Sequence, residues 1–308
     1  MAWPDGATNE TVQSIGATGR NHSTIAAWEA ATDVDLVASG YSPVGECYDD
    51  ADLAGFVMDG ATTSADYYRR LTVAVGQRHD GTAYGGGVNS VGADYTHQLR
   101  EFYGVVEWLI CSGSDALGLR SYGGPENSRH WYRSCVVACS GEYGFCVETM
   151  GAGSEVTAEN CVVHSAALYG FYYVTTLYNC SILGANRGVR FAACYNVISI
   201  GGVTACFADC TGSNNISGDA TDAGGDTINN VDKDDIFTNT GGGTEDLHLK
   251  SDVTAASGAG ADLSAYFTTD IDGDTRVDWD IGADEYAAGG PTFNPSWYVQ
   301  RRRAREAA

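Results

Sequence analysis

Lysine is almost missing from this chain: Lys233 and Lys250 are its only two, and 40 acids against 17 basic residues give 308 residues a formal charge of −23. Such a surface stays hydrated at high ionic strength and repels nucleic acid and anionic membranes, so neither is expected as a partner. The sequence has no run of eighteen apolar residues, so no helical membrane span is expected. The start, Met1-Ala2-Trp3-Pro4-Asp5, lacks the basic opening and apolar core of a secretory signal. The expectation is therefore a protein made and used without export.

What the chain does have is a phrase that recurs between Ser134 and Ile216. The copies are Ser134-Cys135-Val136-Val137, Asn160-Cys161-Val162-Val163, Asn179-Cys180-Ser181-Ile182, Asn196-Val197-Ile198-Ser199 and Asn215-Ile216, the last four at intervals of 19, 17 and 19 residues. Gly144-Phe145, Gly170-Phe171 and Gly188-Val189 follow in step. Self-similarity near twenty residues, written in β-branched triplets without a helical period, predicts a stacked solenoid of short strands, a parallel β-helix. Asn160, Asn179, Asn196 and Asn215 are expected to form an amide ladder at a bend. Cys135, Cys161 and Cys180 would stack inward behind them as buried thiols. The pairs Cys135/Cys139 and Cys206/Cys210 lack the histidine partners of a zinc site.

The order along the chain predicts three regions: an N-terminal lead-in with a capping helix over 1–33, the β-helix over 34–286, and an extended C-terminal arm over 287–308. Ser23 or Thr24 is the candidate N-cap of a helix that places Ile25, Trp28 and Ala31 on one face, with Trp28 plugging the first coil. Val34–Val37, Gly55–Met58, Leu71–Val75 and Val105–Cys111 are the candidate early strands. Arg78-His79-Asp80-Gly81 and Tyr84-Gly85-Gly86-Gly87 are expected as side loops.

Near the C-terminus stand Asp246-Leu247-His248-Leu249-Lys250, Asp270-Ile271-Asp272-Gly273-Asp274-Thr275-Arg276 and Asp280-Ile281-Gly282-Ala283-Asp284-Glu285-Tyr286. This order closely resembles the end of many right-handed parallel β-helix proteins of the pectin-lyase-like superfamily, found in bacterial surface proteins and in phage or prophage proteins. The resemblance implies the hand of the helix and an end-closing turn in which Asp side chains bond backbone amides. It implies no activity, because that superfamily hosts lyases, hydrolases, adhesins and inert virion parts. The opening Ile15-Gly16-Ala17-Thr18-Gly19-Arg20 also resembles phage-encoded β-helix proteins.

The regular coils carry only Glu142, Glu148, Glu155, Glu159 and Asp209 as acids, with no paired aspartates and none of the galacturonase-type phrases. No catalytic residue is assigned, and no cofactor is expected. Asp270, Asp272 and Asp274 are spaced like a calcium loop, but Gly273 stands at position four, and Thr275 and Ile281 fall where an EF-hand loop needs glycine and glutamate, so a turn is the preferred reading. The tail combines Phe293, Trp297 and Tyr298 with Arg301, Arg302 and Arg303, the pattern of a docking arm on an acidic body. The functional expectation is a virion structural protein of a tailed phage: a decoration, head-fibre or tail-associated component present in many copies and assembled in the host cytoplasm. Its partners would be capsid or tail proteins, with a cell-surface glycan as a further contact. A polysaccharide-degrading enzyme of the tailspike type and a bacterial surface adhesin are the competing expectations.

Overall fold

The computed structural model describes residues 4–82, 86–92, 96–113, 117–241, 243–250 and 255–286. The expected arm, with Phe293, Trp297, Tyr298 and Arg301 to Arg303, lies outside the described residues, as do Tyr84 and Gly85. Within them the chain is a parallel β-helix. From Ser42 to Ala208 each coil visits three parallel sheets in the same order: a first sheet of nine strands in all, running from Glu10–Ile15 to Thr211–Ser213, a second of eight, and a third of seven. The solenoid therefore begins before residue 34, because Glu10–Ile15 pairs in register with Ser42–Cys47.

The corner between the first and second sheets explains the repeating asparagine. Trp108, Ser134, Asn160, Asn179, Asn196 and Asn214 all sit there in the left-handed region, at φ between 46° and 63°. Asparagine tolerates that conformation better than other residues with a side chain. The register Tyr195↔Ser213 and Ile198↔Ile216 corrects one assignment: the corner residue of the last coil is Asn214, not Asn215. Asn215 takes the inward place used by Cys135, Cys161 and Cys180, where its amide accepts from Val197 N at 2.9 Å and donates to Cys194 O at 3.0 Å. Those three cysteines are wholly buried, and all ten in the chain are free thiols. Each of the three turns its Sγ to the backbone carbonyl two residues earlier, at 3.3 to 3.4 Å.

The N-terminal end is closed by helix α1, Ile25–Thr32, whose first turn is capped by the Thr24 hydroxyl accepting from Ala27 N at 3.0 Å. Ile25, Trp28 and Thr32 are its buried face, and Ala31 is exposed. Trp28 lies in the main core with Ile15 and Cys47. Gly45 makes room for it: a Cβ there would come within 2.9 Å of the indole. Beneath the cap Arg69 is buried with its side chain fully shielded, paired with Glu29 and Glu101. Residues 34–37, expected as a strand, lead into the single-turn helix α2, Leu36–Ser39. Asp35 caps it by accepting from Ala38 N at 2.9 Å, and Gly40 ends it at φ 69°. Val105–Cys111 is two strands, Tyr103–Glu107 and Ile110–Gly113, bent at Trp108.

The C-terminal phrases do not close the end of the solenoid; they cover its side. After the last coil come helix α3, Lys233–Ile236, an antiparallel pair of Phe237–Asn239 with Asp246–Leu249, and a run of turns over 255–286. The reason is the outer face of the second sheet. Ile110, Val136 and Val162 are aligned there, as are Ile198 and Ile216, an apolar row that water would otherwise meet. Ile236, Phe237, Leu247, Leu249, Ile271 and Ile281 bury it. The corner amides hold the cover in place: Asn160 donates to Thr269 O at 2.6 Å, and Asn179 donates to Asp280 O at 2.9 Å and Gly282 O at 3.0 Å. The expected amide-to-amide ladder shows one rung, Asn196 to Asn179 at 3.0 Å.

Candidate functional site

With the second sheet covered, the first and third sheets carry the accessible side chains of the coils. On the third sheet the repeated glycine sets the geometry. A Cβ on Gly144 would lie 2.5 Å from Val163 Cγ1, and one on Gly170 2.6 Å from Ile182 Cγ2, so the strand passes too close to the second sheet for any other residue. The following residue turns inward, and Phe145 stacks on Phe171 at 4.7 Å. The residues flanking each Gly-Phe pair line up on the outer face. One row is Tyr143, Tyr169 and Arg187; the other is Cys146, Tyr172 and Arg190.

These rows form a continuous strip of tyrosine and arginine. Tyr143 stacks on Tyr169 at 5.4 Å, and Tyr169 meets Tyr172 at 4.7 Å. Arg187 and Arg190 each donate to the Tyr169 hydroxyl at 3.0 Å. Burial opposes ionisation of Tyr169, but the two guanidinium bonds hold it below the usual tyrosine value. Burial pushes Tyr143 up to about 12. At the next corner Tyr173 and Phe191, both left-handed, stack at 4.5 Å, and Arg190 lies 4.4 Å from the Phe191 ring. Tyr173 is 46% exposed. The rings stack on one another, so the strip offers edges, hydroxyls and guanidinium N–H groups at the strand spacing of about 4.8 Å. Tyrosine and arginine are the residues most enriched at the energetic centres of protein interfaces.

The first sheet carries the nearest thing to a catalytic constellation. Glu107, Arg133, Glu159, Tyr178 and Tyr195 share one row of the ladder. Arg133 pairs with Glu159 at 2.9 Å, with Glu107 at 3.2 Å and with Asp5 at 2.8 Å. Glu159 also accepts from Trp131 Nε1 at 3.1 Å. Burial pushes Glu159 up to about 7 even though Arg133 draws it down. One strand, that of Arg133, separates the glutamates, so their backbones are two strand spacings apart, on the order of 9.6 Å. Two carboxylates flanking a gap are what a glycosidase needs, but here the Arg133 guanidinium bonded to both fills the space where a scissile bond must lie.

The three aspartates of the possible calcium loop do not converge. Asp270 accepts from Asp272 N at 3.0 Å, from Asp274 N at 2.8 Å and from Glu285 N at 3.2 Å, the work of a turn. Asp274 is exposed, and Asp272 turns away to His248 at 3.0 Å. Nor is Arg78-His79-Asp80-Gly81 an outlying loop at its histidine. His79 is 3% exposed, bonded to Ser134 O at 2.7 Å and packed against Trp108 at 5.6 Å. The sequence reading missed the strip because Tyr143 and Tyr169 are 26 residues apart and Arg187 a further 18; the step shared with the Gly-Phe phrase was the available signal. No protein-family model, curated protein or solved structure matches this chain.

Proposed function

We propose that the protein is a β-helical structural component of a tailed-phage virion, docked through its C-terminal arm and presenting the third-sheet strip to a protein or glycan partner. The strip carries this reading. On it tyrosine and arginine gather with hydrogen-bonding edges directed away from the core. A rigid solenoid whose second sheet is covered and whose first-sheet acids are held in ion pairs acts by shape and contact rather than by turnover. The phage assignment rests on the resemblance of the Asp270–Arg276 and Asp280–Tyr286 phrases and of the opening, and on the aromatic and arginine content of residues 293–303.

The test compares the full chain with one truncated after residue 287, each incubated with candidate capsid and tail proteins. Attachment that is lost on truncation supports docking through the arm. Attachment that survives truncation but is lost in Arg187→Ala with Arg190→Ala moves the docking to the strip. Glu107 and Glu159 favour a second reading, a polysaccharide-cleaving enzyme. Release of reducing ends from a surface polysaccharide, abolished by Glu159→Gln, would replace the structural assignment with that one.

A further inference from the structure

His248, Asp272 and Asp284 come from three separate parts of the covering segment, and each offers one donor atom, the three within 4.8 Å of one another. We propose that they bind a divalent transition-metal ion of the zinc type, which ties three stretches of the cover to one another. One imidazole nitrogen with two carboxylates is a donor set of three, suited to zinc and leaving a fourth position for water. Calcium, which prefers six to eight oxygens, suits it poorly.

Two features beyond the acidic charge point to a metal. Asp246 accepts from His248 Nδ1 and also takes the His248 backbone N–H at 3.0 Å, so it fixes the ring with Nε2 aimed at Asp272 and Asp284. A carboxylate holding the far nitrogen of a ligating histidine is the usual outer support of such sites. Asp284 is held likewise, one oxygen accepting from Leu249 N at 2.8 Å. Second, Asp272 Oδ1 is shielded from solvent and has no hydrogen-bond partner, while Oδ2 takes the contact to His248 Nε2. A metal at Nε2 replaces the proton that now bridges to Asp272 and gives the idle oxygen a ligand to hold.

The space beside this pair is kept by Gly81. A Cβ there would stand 2.5 Å from His248 Nε2 and 3.0 Å from Asp272 Oδ1. The three donors all lie in the cover, between positions 248 and 284, so a metal would staple that segment to itself beside Gly81, in a segment already tied to the coils by Asn160 and Arg276. His248 and Asp272 keep 23% and 25% of their side-chain surface, enough for an ion to enter.

The experiment uses the full chain stripped with chelator and titrated with Zn²⁺, Mn²⁺ and Ca²⁺ by calorimetry. The expected result is one equivalent of Zn²⁺ at a dissociation constant of about 1 µM or tighter. Asp272→Asn should abolish binding, and Asp246→Asn should weaken it by roughly 10- to 100-fold. Asp274→Asn, outside the cluster, should bind as the wild type does. Hydrogen exchange in 246–286 should slow when Zn²⁺ is added to the stripped protein. No Zn²⁺ binding at 100-fold higher concentration, a preference for Ca²⁺, or binding undiminished in a folded Asp272→Asn variant would each overturn the proposal.

Discussion

Replacing Arg276 with methionine should loosen the cover while leaving the coils intact. Its guanidinium is wholly buried and bonds the Asn160 side chain at 2.9 Å, the carbonyls of Gly282 at 3.0 Å and Ala283 at 2.6 Å, and the Glu285 carboxylate at 3.2 Å. Methionine fills a similar volume and makes none of these bonds. Glu285 keeps the backbone N–H groups of residues 277 to 280, which lessens the penalty on its charge, whereas the carbonyls and the Asn160 oxygen lose their donor. Removing one member of a buried charge pair costs about 3–5 kcal/mol. The simple sum over orphaned acceptors is larger, but local detachment of the cover limits it. At 1.4 kcal/mol per decade the amides of Trp279 and Asp280 should exchange roughly 10²–10⁴ times faster, while those of Phe145 and Phe171 stay protected because each coil is held chiefly by its neighbours. Native-state hydrogen exchange by mass spectrometry reads both. Acceleration of less than about tenfold in 277–286 would refute the view that Arg276 fastens the cover.

Trp28→Ala should cost about 3–5 kcal/mol and lower the thermal midpoint, and Gly45→Ala about 1–3 kcal/mol through its clash with the same indole; unchanged midpoints would remove the plug from the account. Asn179→Ala loses a left-handed residue's best side chain and two bonds to the cover, so urea unfolding should show a loss of about 2–4 kcal/mol, whereas a loss below 1 kcal/mol would mean the corner is tolerant. Glu159 is raised to about 7 in the fold against roughly 4.3 unfolded, so its contribution is full below about pH 4 and is lost as pH rises through about 7. Glu159→Gln should therefore gain on the wild type by up to about 3 kcal/mol between pH 4.5 and 8, and parallel pH profiles for the two proteins would contradict that.

The regular coils were legible because their period, their corner asparagines and their inward cysteines repeat within twenty residues of each other. The last corner was misread by one place since Asn214 and Asn215 are adjacent and only pairing with Ser213 decides between them. Residues 34–37 read as a strand from their valines, but Asp35 and Gly40 supply helix start and stop signals around a single turn, too short for a period to form. His248, Asp272 and Asp284 meet through packing of distant segments, as His79 meets Ser134 and Trp108, and no local pattern encodes that. The placement of the Asp270–Tyr286 phrases along the side followed from the apolar outer row of the second sheet, whose alternation the sequence contains but whose direction only the corner geometry fixes.

The return of the C-terminal segment along the coils also orders events in time. Coils built from contacts within twenty residues can assemble as the chain leaves the ribosome, but Asn160 waits for Thr269 and Arg276, 109 and 116 residues later. Until then the row of Ile110, Val136 and Val162 is open to any sticky neighbour, including a second nascent copy. Synthesis that stalls before residue 286 would thus leave a well-formed but adhesive rod, a substrate for chaperones and for aggregation.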